Sequence, residues 1–215
     1  MGYNECSIRL YGKKAQAEIN RRIFFICHAG GIKRAGRKQH RMDPAVLFKL
    51  SYGLYAIGAM EGDVPQGCIV NTVFQVTAEG MLAVSMSKNN HTHKLMQETG
   101  RFSISILTEG TPAKTIGRLG YSSGANMHKF DGLSYAMHDG LPMLQADCAG
   151  YLFCNIVGSH DAGTHTVFFA QVYDGCMDEG CVVKGLPVMT YDYYHKVIKA
   201  KAPKNAPTYQ AAANQ

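Results

Sequence analysis

Apolar and polar side chains alternate most sharply between Val70 and Lys88, where a strand, a turn at Glu79-Gly80 and a second strand follow one another. Successive side chains of a strand point to opposite faces. Val70, Thr72, Phe74 and Val76 are therefore expected on the core side, with Asn71, Val73, Gln75 and Thr77 opposite. Past the turn, Leu82, Val84 and Met86 oppose Met81, Ala83, Ser85 and Ser87, and further on Phe102, Ile104 and Ile106 oppose Ser103, Ser105 and Leu107. None of the outward sets holds a charge, whereas a solvent face would carry Lys, Glu, Asp or Arg. That surface is expected to be covered, by a neutral polar ligand, by another subunit, or by both.

The remaining pattern supplies the other elements. Asp43 and Pro44 form a helix start ahead of residues 45–50. Gly53 to Met60 predicts a first strand, closed by Glu61-Gly62-Asp63 and paired with Gly67 to Thr77. Asn90 is placed to cap a helix over His91 to Thr99 with Gly100 as its stop, and Arg101 to Leu107 is a strand. Thr111-Pro112 opens a helix over Ala113 to Leu119, ended by Gly120, and residues 120–142 read as a long loop, more often functional or interfacial than idle. Two long strands, Ala146 to Ser159 and Thr164 to Gly175, join through His160-Asp161-Ala162-Gly163. A short strand, Cys181 to Lys184, comes last. Short strands linked by hairpins, with two or three short helices, predict a mainly β fold, a six-stranded Greek-key barrel. So small a barrel fills its interior with side chains, which leaves a ligand the outside wall or a subunit boundary.

Charge changes this picture only at one end. Of 215 residues, 22 are Lys or Arg and 16 Asp or Glu. Residues 1–41 hold ten of the bases against two acids, Glu5 and Glu18. The expected organisation is a basic extension over 1–41, a folded domain over 42–198, and a linker-like tail over 199–215 rich in Lys, Pro, Ala and Asn. The body carries no basic surplus to support nucleic-acid binding. Arg21-Arg22 followed by Ile23-Phe24-Phe25-Ile26 is too short an apolar run for an export signal, and no stretch approaches the roughly 18 apolar residues of a membrane span. Seven scattered cysteines without a C-x-x-C indicate neither a disulfide framework nor zinc, so reduced thiols in a cytoplasm are expected.

Two places carry candidate chemistry. Lys88 ends a strand and Thr92 lies in the first turn of the Asn90-capped helix, where free amides and the positive end of the dipole favour an anion. Lys88, Asn89 and the Thr92 hydroxyl could hold one phosphate monoester, although the same residues also make an ordinary strand end and helix cap. His165 sits in a long strand beside Val167 and Phe169, the setting of many packed or surface histidines. Ser159-His160-Asp161 cannot act as a triad, since adjacent residues do not line up as nucleophile, base and orienter. His91 and His93, at i, i+2 on a helix, point apart, so no metal site is expected.

The run from Gly67 through Asn71, Thr72 and Gln75 to Thr77, followed by Ser85-Met86-Ser87-Lys88-Asn89-Asn90-His91-Thr92-His93, resembles the flavin reductase-like family of FMN-binding split barrels. Within it, the likeness is to flavoredoxin-like and flavin-reductase modules that are fused to a rubredoxin domain in some bacteria and archaea. The resemblance continues in Arg101 to Leu107, in Gly163-Thr164-His165-Thr166 with the strand after it, and in Tyr191 to Lys199, and covers about Met42 to Tyr209. It implies a homodimer with FMN on the outer wall of each barrel. Asn71, Thr72 and Gln75, with Thr77 in the same set, would lie along the isoalloxazine and ribityl chain. Ser87, Lys88 and Thr92, beside Asn89, would take the phosphate. The resemblance also makes His165 the residue that approaches flavin and nicotinamide. The implied activity is an NAD(P)H-dependent flavin oxidoreductase passing hydride to flavin N5 and electrons to free flavin or to a small redox protein such as a separate rubredoxin. The alternative is an FMN electron carrier reduced by a protein partner. A relative of pyridoxamine-phosphate oxidases or of haem-binding split barrels fits the motif set less well. Where fused relatives continue into rubredoxin, this chain reads Gln210-Ala211-Ala212-Ala213-Asn214-Gln215, so the acceptor is expected to be separate.

Overall fold

The computed structural model describes residues 44–198. The basic extension, the Asp43 cap and the tail from Lys199 fall outside the described residues. The described chain opens with a 3-10 helix, Pro44–Lys49. Seven strands form one antiparallel sheet: β1 (Tyr55–Glu61), β2 (Val64–Val70), β3 (Val73–Gln75), β4 (Met81–Ser87), β5 (Arg101–Leu107), β8 (Cys148–Asp161) and β9 (His165–Met177). Their order is β2-β1-β5-β8-β9-β4-β3. A separate hairpin pairs β6 (Tyr135–His138) with β7 (Leu141–Leu144). The helices are α1 (His91–Thr99), α2 (Ala113–Tyr121), α3 (Glu179–Lys184) and α4 (Tyr191–Tyr193).

Why the sheet curls is visible in what it buries. Ile57, Cys68, Val84, Met86, Phe102, Ile104, Cys154, Phe168 and Ala170 form one fully buried cluster, so six strands send side chains into the same interior. Strands β2 and β4 are not paired, yet Cys68 Sγ lies 3.7 Å from Met86 Sδ, so the sheet closes there through side chains. This is the barrel that the hairpin-linked strands predict, in the split form that the resemblance implies. Bulges in the β8–β9 ribbon, at Tyr173 of β9 opposite Phe153 and Cys154 and at Val157 of β8, bend the long ribbon that must wrap the interior. Helix α1 lies where the sequence puts it. The Asn90 side chain accepts the Thr92 amide at 3.0 Å, Gly100 stops the helix at φ 68°, and Leu95 and Met96 pack into the barrel core.

A second cluster, with Leu107, Leu119, Phe130, Leu144 and Phe153, lies on the outside of β1, β5 and β8. Here the structure departs from expectation. Residues 120–142 are not a plain loop, because they contain β6 and the start of β7, and this hairpin covers β5. Ser103 and Ser105, expected outward, are buried. The Ser103 hydroxyl donates to the Pro142 carbonyl, and the Leu144 amide donates to Ser105 Oγ at 3.1 Å. The uncharged face of β5 is thus covered by the chain itself. The hairpin can approach only because Gly58 has no side chain: a Cβ there would stand 2.7 Å from the Pro142 carbonyl oxygen.

Three further differences have local causes. The expected Gly67 to Thr77 strand is broken at Asn71-Thr72 into β2 and β3. Val70 and Val73 both pack on the barrel core across this break, which resets the alternation. Phe74 and Val76 consequently turn outward, 55% and 43% exposed, and the inward set expected for this strand is inverted after Val70. Cys181 to Lys184 is helical rather than extended. Asp178 Oδ1 accepts the Cys181 amide at 2.8 Å, and Gly185 closes the turn at φ 61°, so cap and stop outweigh the two valines. Helix α2 runs through Gly120 to Tyr121, its end held by a 2.5 Å hydrogen bond between Tyr121 and Tyr194 hydroxyls.

Phe102→Ala, which empties the barrel centre, should cost about 3–5 kcal/mol of stability. Phe74→Ala should stay within about 0.5 kcal/mol, as exposed positions do. Denaturant titration of both variants checks the corrected facing of β3: comparable losses would mean that Phe74 belongs to the core.

Candidate functional site

The β4–β9 ladder brings distant parts of the sequence to one rim of the barrel. Ser85 pairs with Val167 and Ser87 with His165, and residues opposite one another in a ladder share a face. On the other side of β4, the Ser85 amide donates to the Thr72 carbonyl at 3.1 Å, which adds Thr72 to the same row. Leu82, Val84 and Met86 alternate into the core. The outer face of β4 therefore presents Thr72, Ser85, Ser87 and His165 as a strip without carboxylate or amine.

The end of that strip is built from the start of α1 and the β8–β9 turn. The Asn90 amide donates to the Ser87 carbonyl at 3.0 Å, turning the chain from strand to helix, and the Lys88 amide donates to the Thr164 carbonyl at 3.1 Å. Lys88 Nζ lies 2.7 Å from Asp161 Oδ1, and that carboxylate also accepts the Gly163 amide at 2.8 Å. The Lys88 hydrogen bond, the Gly163 amide and the Lys88 charge hold the Asp161 carboxyl below its ordinary range. Thr92 is only 1% exposed.

His93 ties this rim to the core. It is buried, its Nε2 shares a 2.8 Å hydrogen bond with Thr166 Oγ1, and its ring stands 5.3 Å from that of Phe168. Burial, with the nearby Lys88 charge, lowers its pKa, so the ring stays neutral. On the other flank of α1, His91 Nε2 lies 3.1 Å from Glu61 Oε2. Buried Gln66 donates to the Gly124 and Met127 carbonyls at 3.0 and 3.2 Å, which fixes the following loop.

The structure brings together Thr72, Ser87, Lys88, Asn89, Thr92 and His165 of the residues singled out in the sequence. Asn71 adjoins them at the break between β2 and β3, its Oδ1 accepting the Thr72 hydroxyl at 3.0 Å. Gln75 and Thr77 stand apart. Gln75 pairs with Leu82, hence on the other face of β3, and its amide donates to the Thr77 carbonyl at 2.9 Å in the β3–β4 turn. Sequence reasoning missed Ser85, the His93–Thr166 bond and Asp161. Only Ser85 had a signal, its place in the uncharged set; the other two depend on a register that no local pattern encodes. His91 and His93 point to different partners, and among the described residues no three His, Cys, Asp or Glu stand close enough to hold a metal. Burial pushes the Cys148 and Cys154 thiols up to about 12, which removes both as nucleophiles near neutrality.

The donor set suits a ligand with an anionic end and an uncharged ring system. A cation, the Ser87 hydroxyl and a helix start meet at one end, and a neutral strip extends from it.

The flavin reductase like domain model matches residues 47–196. The chain is 41% identical over 170 residues to the high molecular weight rubredoxin of Moorella thermoacetica, covering 78% of this chain and 72% of that protein. It is 35% identical over 170 residues to the ferric-chelate reductase (NAD(P)H) of Archaeoglobus fulgidus, covering 78% and 98%. Among solved structures, the FMN-binding protein of Thermus thermophilus superposes with a TM-score of 0.61 at 22% identity, covering 74% of this chain and 90% of that one. The NADH:FAD oxidoreductase SgcE6 of Streptomyces globisporus gives 0.60 at 18%, covering 72% and 93%.

The neutral state of His93 has a measurable consequence. Below the ordinary histidine value of about 6.5, the unfolded chain takes up a proton that folded His93 resists. Stability present above that pH is then lost as pH falls below it toward the lowered folded-state value. His93→Gln should flatten this part of the stability profile, read as the thermal midpoint against pH; an unchanged slope would mean that His93 is not the group responsible.

Proposed function

The chain belongs to the flavin reductase-like domain family and is an NAD(P)H-dependent flavin oxidoreductase, and from that premise we propose that FMN binds along the outer face of β4 and β9, with its phosphate at the start of α1. The domain is taken as 42–198, with the matched residues inside it. The observation that supports this reading is the pairing of Ser87 with His165 next to Lys88 and the start of α1, which gathers a hydroxyl, an imidazole and a cation on one rim. When bound, the flavin supplies the redox chemistry, accepting hydride from NAD(P)H at N5 and releasing electrons to an acceptor.

The protein's part is placement. Ser87 and Lys88, with the backbone near Asn89 and the helix start in which Thr92 is buried, hold the phosphate by hydrogen bonds and one charge. Thr72, Ser85 and the Asn71 amide face the polar edge of the ring and the ribityl chain, while Gln75 and Thr77 stand off this row at the β3–β4 turn. His165 orients the nicotinamide. Its Nδ1 shares a 2.9 Å hydrogen bond with Thr164 Oγ1, which orients the ring and leaves Nε2 outside that bond. The acceptor is free flavin or a small redox protein such as a separate rubredoxin, a reading supported by the name of the Moorella relative. Exposed Phe74, Val76 and Val157 support a homodimer in which a second copy covers them. No helix among the described residues is long and apolar enough to cross a membrane. The described cysteines are all free, which supports a reducing, cytoplasmic setting.

Anaerobic mixing with NADH and with NADPH should bleach the visible flavin band. His165→Ala should slow that bleaching by about tenfold or more, the scale of a lost orienting contact, while flavin affinity changes far less. Failure to bleach with either nucleotide would favour a carrier reduced by a protein partner.

A further inference from the structure

Lys88 is spoken for before any phosphate arrives. Its amine lies 2.7 Å from Asp161 Oδ1. The carboxylate does not depend on that amine for its position, because the same oxygen accepts the Gly163 amide at 2.8 Å, inside a turn where Gly163 takes φ +78°. The turn is in turn fastened to the end of β4 by the hydrogen bond from the Lys88 amide to the Thr164 carbonyl. A fixed negative charge thus stands at the proposed phosphate site, attached to the same backbone as its cation. A phosphate monoester carries close to two negative charges near neutral pH, since its second pKa is about 6. Lys88 cannot serve it fully while Asp161 holds the amine, and the carboxylate repels it at short range. An uncharged ribityl hydroxyl meets no such opposition.

We propose that Asp161 is a specificity-determining residue that weakens binding of the phosphorylated flavin relative to riboflavin. This rests on the assignment of the phosphate to Ser87, Lys88 and Thr92. The carboxylate acts through charge, so its effect grows with the charge of the ligand and shrinks with added salt.

The test compares FMN with riboflavin, each titrated against the full-length protein by quenching of flavin fluorescence, at low and high salt. Asp161→Asn keeps an oxygen for the Gly163 amide and removes the charge. It should tighten FMN by about three- to fivefold, the range of an exposed ion pair, with riboflavin unchanged within about twofold and the gain reduced in high salt. Asp161→Ser, which can also accept from the turn, should behave alike and serves if the asparagine variant folds poorly. Lys88→Gln should weaken FMN more than riboflavin. If Lys88→Gln lowers the FMN preference but neither Asp161 variant raises it, Asp161 has no such role and the phosphate assignment stands. If Lys88→Gln leaves the ratio of the two affinities unchanged, the phosphate lies elsewhere and the proposal falls with the assignment.

Discussion

Closing the sheet around Phe102, Ile104 and Phe168 fills the barrel with its own side chains, and the position of every functional group follows from that. A ligand cannot enter such an interior, so chemistry is confined to the wall and the rims. Closure also decides which strand positions are available. Leu82, Val84 and Met86 belong to the core, and the residues between them are left to whatever covers the outside. The same constraint explains the joint between β2 and β4, where a thiol and a thioether meet in place of a ladder.

Helix α1 converts this packing into a positioned site. Leu95 and Met96 are part of the core cluster, while the first turn of the same helix, capped by Asn90, stands at the rim beside Lys88 and Ser87. A nine-residue helix anchored by its apolar face cannot drift relative to the strands it packs on. The His93–Thr166 hydrogen bond removes the remaining freedom by joining that first turn to the residue next to His165. The start of α1 and His165 are therefore held at a fixed separation by buried contacts, which is what preorganised binding needs.

Local signals made the elements of this region legible in the sequence. Asn90, Gly100 and the alternation of β4 and β5 bound their elements closely because caps, stops and period-two patterns act within a few residues. What escaped depends on distant partners. The break at Asn71-Thr72 inverts β3 because Val70 and Val73 both gain by packing on the same core, a choice made by strands elsewhere in the chain. The β6–β7 hairpin was hidden in a stretch rich in Gly, Ser and Asp, and its turn at Asp139-Gly140 is recognisable only when Leu141 and Leu144 are seen to bury. The Lys88–Asp161 pair joins residues 73 positions apart, and only the register of β8 on β9 and of β9 on β4 brings them together.

The absence of charge on a strand face therefore says that the face is covered, and leaves open by what. On β5 the hydroxyls of Ser103 and Ser105 are both spent on the backbone of β7, so the cover is the chain's own hairpin and the lack of charge is a folding requirement. On β4 the equivalent hydroxyls, Ser85 and Ser87, lie half-exposed and share their face with His165, next to a cation and a helix start. The two strands look alike in composition and differ in what their hydroxyls are bonded to. A neutral strip counts toward a ligand when its polar atoms are not already satisfied by the fold and when charge of the right sign stands at one end of it. Strand β4 meets both conditions, and β5 meets neither.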